Sequence, residues 1–491
     1  MSGASLALER VRYSASLEGR GMVSSRGRPL SWRVLFQMAT VGAYTALVKM
    51  AGAAKVVLTA RAFGMSDGVE AYLIAFLLPS FVSDILAGSL SPALVPAFIE
   101  VSHREGREAA NRLYQGALAA AVGLLSLVAL VLVAGAPWIL HALALGFSAP
   151  KLALTGSLFL TMLPIVPITA LTITWRSILN TEGHFALAAA APALTPLVTI
   201  LFLLGFGHEW GVQSLAAGTL AGSVLEAVLL GAGASRLGFP VVPRWYGRNA
   251  ALDHVLAQYG PVVLGTLLLG GVTLIDQAMA TMLGAGSVAA LNYGTRVTMV
   301  LIAIGPGAVA TAILPHFSRL TASQDWDHVR GSLRSYAVII VGVALPVIGF
   351  LIAFSEPLVR LFFERGQFTG AATGLVATVQ RYSLLQIPAA LVMALVLRLI
   401  SSMRLNYLLP RAAVLSVALN LVLDVLLMRW MGIAGIALST TLVQVAALAY
   451  LWLRLRAELA FTLDRASTRI SGKPDFPIRE EPLETRSRGG C

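Results

Sequence analysis

A few polar side chains stand inside stretches that are otherwise apolar, and their types suit the capture of an anion. Arg296 lies in "AGSVAALNYGTRVTM", about ten residues into a long apolar run, and Lys49 and Lys55 lie in "VKMAGAAKVVLTAR". Lysine offers a compact ammonium, and arginine a planar fork that matches two phosphate oxygens at once. Six residues at about 100° each leave about 240° net between the two lysines, so they do not share one narrow helix face. They can line a wide cavity at two heights, or one can reach toward the membrane surface. A charge at the centre of a bilayer costs about 2.5–3.5 kcal/mol on insertion scales, so Arg296 must face a partner or a watery space.

The acidic candidates are fewer. Asp276 lies in "GGVTLIDQAMATML", one span before Arg296, and is a candidate either to neutralise that guanidinium or to couple transport to a cation. Ser83 and Asp84 lie together in "PSFVSDIL", mid-span, whereas Glu70 at the start of the same span reads as an exposed charge or a helix-start charge. Glu226, Arg381, Arg398 and Asp424 are further charges within apolar runs. Counting the deep groups, Lys49, Lys55 and Arg296 stand against Asp84 and Asp276, a slightly basic set suited to an anionic headgroup.

What must position these groups is a membrane bundle. Hydrophobic residues make up 57% of the 491-residue chain and charged residues only 12%, about half the charge of a soluble protein. Mean hydropathy is +0.79. Apolar runs of about 20 residues or more, long enough to cross a bilayer, fall near 37–60, 70–100, 111–138, 152–179, 185–206, 211–235, 255–283, 287–318, 332–355, 372–402, 408–428 and 432–455. The expected class is an all-α integral membrane protein with about twelve spans.

The net charge of +12 does not point to nucleic acid, because its distribution is that of a topology signal. With the first span starting inside, the inner connections and both tails hold about 25 Lys and Arg, and the outer connections about five: Arg61, Lys151, Arg360, Arg365 and Arg429. Both termini are therefore expected in the cytoplasm. The segment 1–36 reads as a basic tail without a cleavable signal, and 456–491 as a polar tail, disordered over its later part. The single Cys491 and seven scattered His supply neither a disulfide nor a metal-ligand spacing. No P-loop, GxSxG, HExxH or CxxC motif is present, and no cofactor is expected beyond a coupling cation or the membrane potential.

The two halves resemble each other at an offset of about 220 residues. "ALVPAF" (93–98) answers "AILPHF" (312–317), "APWILHALALGF" (136–147) answers "EPLVRLFFERGQF" (356–368), and "WGVQSLAAGT" (210–219) answers "WMGIAGIALST" (430–440). Six spans followed by six similar spans predict two pseudo-symmetric lobes, 37–235 and 255–455, joined by a cytoplasmic linker at 236–254. Transporters built this way hold their substrate between the lobes, near the midplane.

Several of these stretches carry a family resemblance. "ARAFGMSDGVEAYLIAFLLPSFVSDILAGSLSPALVPAF", "LIDQAMATMLGAGSVAALNYGTRV" with "ILPHFSRL", "LFFERGQFT" and "LNTEGHFALAAAAP" resemble the MviN/MurJ-like family. These are lipid II flippases within the multidrug/oligosaccharidyl-lipid/polysaccharide exporter superfamily, and the resemblance covers about 37–455. It implies a V-shaped two-lobe bundle with a central cavity, moving a polyprenyl-diphosphate-linked saccharide outward by alternating access. By position it places the family's cavity cations on Lys49, Lys55 and Arg296, an acidic site on Glu70 and a carboxylate or amide on Asp276. Where the family carries an adjacent arginine pair in its second span, this chain has Ser83 and Asp84. The family's lipid II flippases commonly have two further C-terminal spans, where twelve are counted here. A related glycolipid precursor therefore stands beside lipid II as the expected cargo, with the bilayer and cell-envelope biosynthesis proteins as partners. The competing expectations are a cation-coupled multidrug exporter, which calls for an acidic cavity, and a membrane-embedded polysaccharide polymerase or ligase, which calls for large outer loops.

Overall fold

A computed structural model describes residues 32–247, 250–305, 326–403 and 405–470. Among these residues there is no strand, and twelve helices are long and apolar enough to cross a membrane. They are α1 (Thr40–Phe63), α2 (Asp67–Arg104), α3 (Arg107–Leu143), α4 (Ala149–Thr181), α5 (Phe185–Trp210) and α6 (Gln213–Arg236) in the first half. The second half holds α7 (Ala251–Thr281), α8 (Ser287–Gly305), α9 (His328–Ala353), α10 (Gly370–Ser402), α11 (Leu408–Met431) and α12 (Ile433–Glu458). Each matches one of the twelve apolar runs. The repeat partners Pro315 and Phe317 and the terminal tails 1–31 and 471–491 lie outside the described residues. The helix of α12 continues to Ile470, so the chain is helical over part of the segment read as a tail.

The repeat is visible in the geometry. α3 ends at Leu143 and the short helix Ser355–Phe363 ends 220 residues later, while α2 begins at Asp67 and α8 at Ser287, again 220 apart. Gly211 after α5 and Gly432 after α11 close their helices with nearly the same backbone, φ 54° with ψ −135° and φ 58° with ψ −135°. Only glycine adopts that conformation without strain, so the "WG" and "MG" of the sequence repeat mark one turn used twice.

Several spans are interrupted near the middle. α2 carries a π-helical turn at Ser83–Ala87, α4 turns at Leu163–Pro164, α10 turns at Leu385–Gln386 ahead of Pro388, and α8 has a turn at Thr295. Proline removes a backbone donor and crowds the preceding turn, which accounts for α4 and α10. Such irregular backbone is tolerated at membrane depth where neighbouring helices or a water-lined space satisfy the freed groups.

The halves meet in two places. Along one side α7 packs on α2 and α3, with the Tyr259 hydroxyl donating to the Leu86 carbonyl at 2.7 Å across the π-helical turn. At the end of the bundle that carries Arg61, Asp67 and Ser287 the join is tighter. There Gln367 N donates to the Arg61 carbonyl at 3.0 Å and the Tyr293 hydroxyl donates to the Gly64 carbonyl at 3.2 Å. A Cβ on Gly366 would overlap the carbonyl oxygen of Arg61, and one on Gly146 would overlap that of Thr281. Gly146 and Gly366 are 220 residues apart, as are Arg61 and Thr281. Each half therefore seats a glycine against the end of the other half's first span. Exposure along α1 runs the other way: Ala60 is fully buried beside this seal, and Met50, toward the opposite end, is 69% exposed.

Candidate functional site

Of the two readings of Glu70, an exposed charge or a helix-start charge, the structure takes the second: Glu70 stands in the first turn of its helix and is completely buried, with 0% exposure. Its Oε2 accepts from Lys151 Nζ at 2.5 Å, and its Oε1 accepts from the backbone N–H of Val288 at 2.7 Å and of Ala289 at 3.3 Å. Those amides are the first of α8, where unpaired donors and the helix dipole favour an anion. Lys151, expected in an exposed connection, is itself buried, bonds Asp67 at 2.6 Å and stands 4.1 Å from the centre of the Phe147 ring. Glu70 is thus a structural cap joining the halves at the sealed end, and an alternation of charge with helix starts is the signal that reveals it.

Of the two candidate roles for Asp276, pairing with Arg296 is not the one the geometry takes: its carboxylate accepts from Asn420 Nδ2 at 2.8 Å and from Thr440 Oγ1 at 2.9 Å, on α11 and α12. Asp424, one turn beyond Asn420, is fully buried beside Asp276, with the Ser439 hydroxyl as its other polar neighbour. Asn420 Oδ1 is buried and unpartnered in the same region. Two buried acids with surplus acceptor oxygens and no basic partner among the described residues are unstable as a pair of bare carboxylates. The donor set, all oxygen, suits a shared proton or a small monovalent cation. Among the described residues no three His, Cys, Asp or Glu converge as a metal site of the usual kind. Asn420, Thr440 and Ser439 are invisible to sequence reasoning because neutral polar residues inside spans carry no periodic signature.

The basic groups are treated differently. Lys55 on α1 is half-buried; its Nζ is 3.5 Å from the Tyr72 hydroxyl and 5.9 and 5.8 Å from the centroids of the Tyr72 and Phe76 rings. Those two rings are parallel, 1° apart with centroids 6.1 Å distant, a surface that holds an ammonium through its quadrupole. Arg296 is half-buried and follows directly on the turn at Thr295. Its Nη2 donates to Asn292 Oδ1 at 2.5 Å, one turn earlier, and its Nε is buried without a partner. The same guanidinium is within electrostatic reach of the Tyr72 and Tyr293 hydroxyls. Among the described residues neither Lys55 nor Arg296 has a carboxylate partner. By contrast Lys151 is matched by Glu70, and Arg176 by Glu226 with Thr195.

Lys55 on the first half and Arg296 on the second are thus each held by a neutral acceptor, Tyr72 and Asn292 respectively. Lys49 is exposed and makes no ion pair among the described residues, and Asp84 is likewise exposed and unpaired, on the π-helical turn beside the buried, unpartnered Ser83 Oγ. π-turns inside helices concentrate at functional sites. Tyr72 and Asn292 are the members that sequence reading missed: a tyrosine in an apolar span reads as core packing.

Comparison with known proteins decides the family. The sequence matches the lipid II flippase MurJ family over residues 59–471. The chain belongs to that family. Lipid II flippase MurJ of Burkholderia cenocepacia is 27% identical over 348 residues, covering 69% of this chain and 67% of that protein. A probable lipid II flippase MurJ of Vibrio cholerae is 24% identical over 454 residues, 89% of this chain and 85% of its own length. Among solved structures, lipid II flippase MurJ in an inward closed conformation superposes with a TM-score of 0.72 at 21% identity, covering 89% of this chain and 93% of that one. An inward-facing multidrug resistance MATE family transporter of the MOP superfamily gives 0.69 at 16% identity, covering 86% and 95%. The fold is the V-shaped helical architecture of these neighbours. MurJ-family members are transporters rather than enzymes, which sets aside the polymerase or ligase expectation. Membership and the twelve apolar helices make this a multi-pass protein of the bacterial inner membrane.

Proposed function

We propose that this chain flips lipid II, or a polyprenyl-diphosphate-linked saccharide of the same headgroup chemistry, from the inner to the outer leaflet by alternating access. One observation carries the choice of an anionic headgroup over the organic cation of a multidrug exporter. Two basic side chains from opposite halves, Lys55 and Arg296, are held by a phenol and an amide and have no carboxylate partner among the described residues. An uncompensated guanidinium inside a membrane protein is costly, and a diphosphate supplies the missing charge. Lys49 adds a further cation for the headgroup on the exposed stretch of α1. Asp84 and Ser83 would face the uncharged or cationic parts of the saccharide, where an acid does not compete with phosphate.

In this reading the sealed end is periplasmic and both termini are cytoplasmic, as the distribution of Lys and Arg favours. The described conformation then opens toward the cytoplasm, where the precursor is loaded. Moving one charge through 100 mV changes the energy by about 2.3 kcal/mol, so an inside-negative potential drives a doubly charged diphosphate outward. The Asp276–Asp424 pair is the coupling element beside that potential. Asp424→Asn leaves one acid with its Asn420 and Thr440 donors and removes the partner that competes for a proton or cation. The expected outcome is transport that has lost most of its dependence on Na⁺ concentration and pH, measured in proteoliposomes. Dependence equal to that of the parent would assign coupling elsewhere.

The direct test of the function is reconstitution of the purified chain in vesicles containing labelled lipid II, with an imposed potential. The expected result is protein-dependent appearance of the headgroup in the opposite leaflet, faster when the potential favours export. A labelled exopolysaccharide precursor moved in preference to lipid II would assign the cargo to that lipid.

A further inference from the structure

The hydrogen-bond bookkeeping around Tyr72 assigns it a role that its position in an apolar span conceals. Tyr72 is 4% exposed, and its hydroxyl lies 3.1 Å from Thr219 Oγ1 on α6. Thr219 Oγ1 already donates its one proton to the Leu215 carbonyl at 2.6 Å. Its neighbour Thr199 Oγ1, 3.4 Å away, likewise spends its proton on the Thr195 carbonyl, at 2.7 Å. Each hydroxyl has a single proton to give. The bond between Tyr72 and Thr219 must therefore run from the phenol to the threonine, leaving the phenol oxygen with only lone pairs toward Lys55. That oxygen is the atom 3.5 Å from Lys55 Nζ.

We propose that Tyr72 is a positioning residue for the anion site: a neutral acceptor, locked in orientation by Thr219, that holds the Lys55 ammonium in place without cancelling its charge. A carboxylate at this point would form an ion pair and compete with the substrate phosphate, and a phenylalanine would keep the ring stack but leave the ammonium unanchored. The proposal rests on the diphosphate-lipid reading and sharpens it, because it specifies why Lys55 is held by a phenol and not by an acid.

Tyr72→Phe separates the hydroxyl from the ring. The expected effect is a rise of about fivefold in the half-saturating concentration of lipid II, the size expected for one ordinary hydrogen bond, with the maximal rate within about twofold. In a Lys55→Met background the same substitution is expected to add nothing. Thr219→Val, which frees the phenol proton to turn toward the ammonium, should reproduce the defect, and Thr219→Ser should restore parental behaviour. A readout without substrate accompanies these: acylation of Lys55 in the purified protein, followed by peptide mass analysis, should run about threefold faster in Tyr72→Phe, since a side chain that loses its anchor leaves the ring stack more often and meets the reagent more often, while Lys151 stays unchanged. Unchanged Lys55 reactivity, or an equal rise in half-saturation with and without Lys55, would overturn the proposal. Failure of the parental protein to move any diphosphate-linked lipid would instead count against the cargo assignment, leaving the Lys55 reactivity to report on Tyr72 independently.

Discussion

Placing a methyl group on Gly146 or Gly366 is expected to keep the sealed end of the bundle from closing and to reduce transport by at least about tenfold, since overpacking costs of about 1–3 kcal/mol fall on one state of the cycle alone. The added Cβ meets a backbone carbonyl in each case, Thr281 for Gly146 and Arg61 for Gly366. A side chain can swing aside, but the end of a membrane helix cannot without moving the span. Gly366 also sits at φ +64°, where a side chain is strained even in open space. The two seats belong to opposite halves and are related by the repeat, so either substitution alone suffices. Gly205, with nothing within 4 Å of a built Cβ, is the control, and Gly205→Ala is expected to behave as the parent. The conformational effect is read by labelling a cysteine at Ser287, buried in the seal, with a membrane-impermeant thiol reagent after Cys491 is replaced by serine. Faster labelling in Gly146→Ala and Gly366→Ala is expected, and parental labelling in both would show that the glycines do not bear on closure.

Arg296→Ala carries the other large effect, a loss of transport of about a hundredfold or more, comparable with removing a residue that pairs with a buried charge on its ligand. Its companion result concerns stability. Arg296 makes one hydrogen bond, to Asn292, leaves Nε buried and unpartnered, and has no acid beside it among the described residues. Removing such a charge relieves a desolvation penalty that no acid among the described residues offsets. The variant is therefore expected to insert normally and to melt at the parental temperature or a few degrees above it. Functional sites often hold destabilising groups of this sort. Loss of transport together with loss of the fold would make Arg296 a structural residue. Lys151→Met provides the contrast: it strips the buried Glu70 carboxylate of its cation, a change of about 3–5 kcal/mol, and is expected to lower thermal stability markedly.

Much of the architecture was legible in the sequence because lipid imposes one dominant rule, a long apolar helix for every crossing. The spans and the six-plus-six repeat follow from that rule, down to the turn shared by Gly211 and Gly432. What the sequence hid was which charges meet. Asp276 and Arg296 are close in the chain order of spans, and pairing them is the economical guess, yet Asp276 turns to Asn420, Thr440 and Asp424 within its own half. Glu70 reads equally as an exposed charge or a helix-start charge, because its contacts come from Lys151, 81 residues on, and from Val288, 218 residues on. Helical periodicity reports which face a residue occupies and says nothing of the distant element that covers that face. The same blindness applies to Tyr72, whose hydroxyl matters only because Thr219 and Lys55 arrive from other spans.

Two kinds of buried charge emerge. Glu70 with Lys151, and Glu226 with Arg176, are matched within the protein and hold helices together. Lys55 and Arg296 are held by a phenol and an amide and keep their charge for something else. The acid pair Asp276 and Asp424 is the mirror case, open to a proton or a small cation. A transporter that exchanges the anion at one place against the state of the acids at another needs this separation of roles.

The central claim, that Lys55 and Arg296 recognise the diphosphate, is tested most directly by comparing two lipids in the same proteoliposomes: a polyprenyl-diphosphate-linked saccharide, and the same saccharide and prenyl chain joined through an uncharged linkage. Robust movement of the first and none of the second above protein-free vesicles is the expected result. Equal rates for both lipids would contradict it.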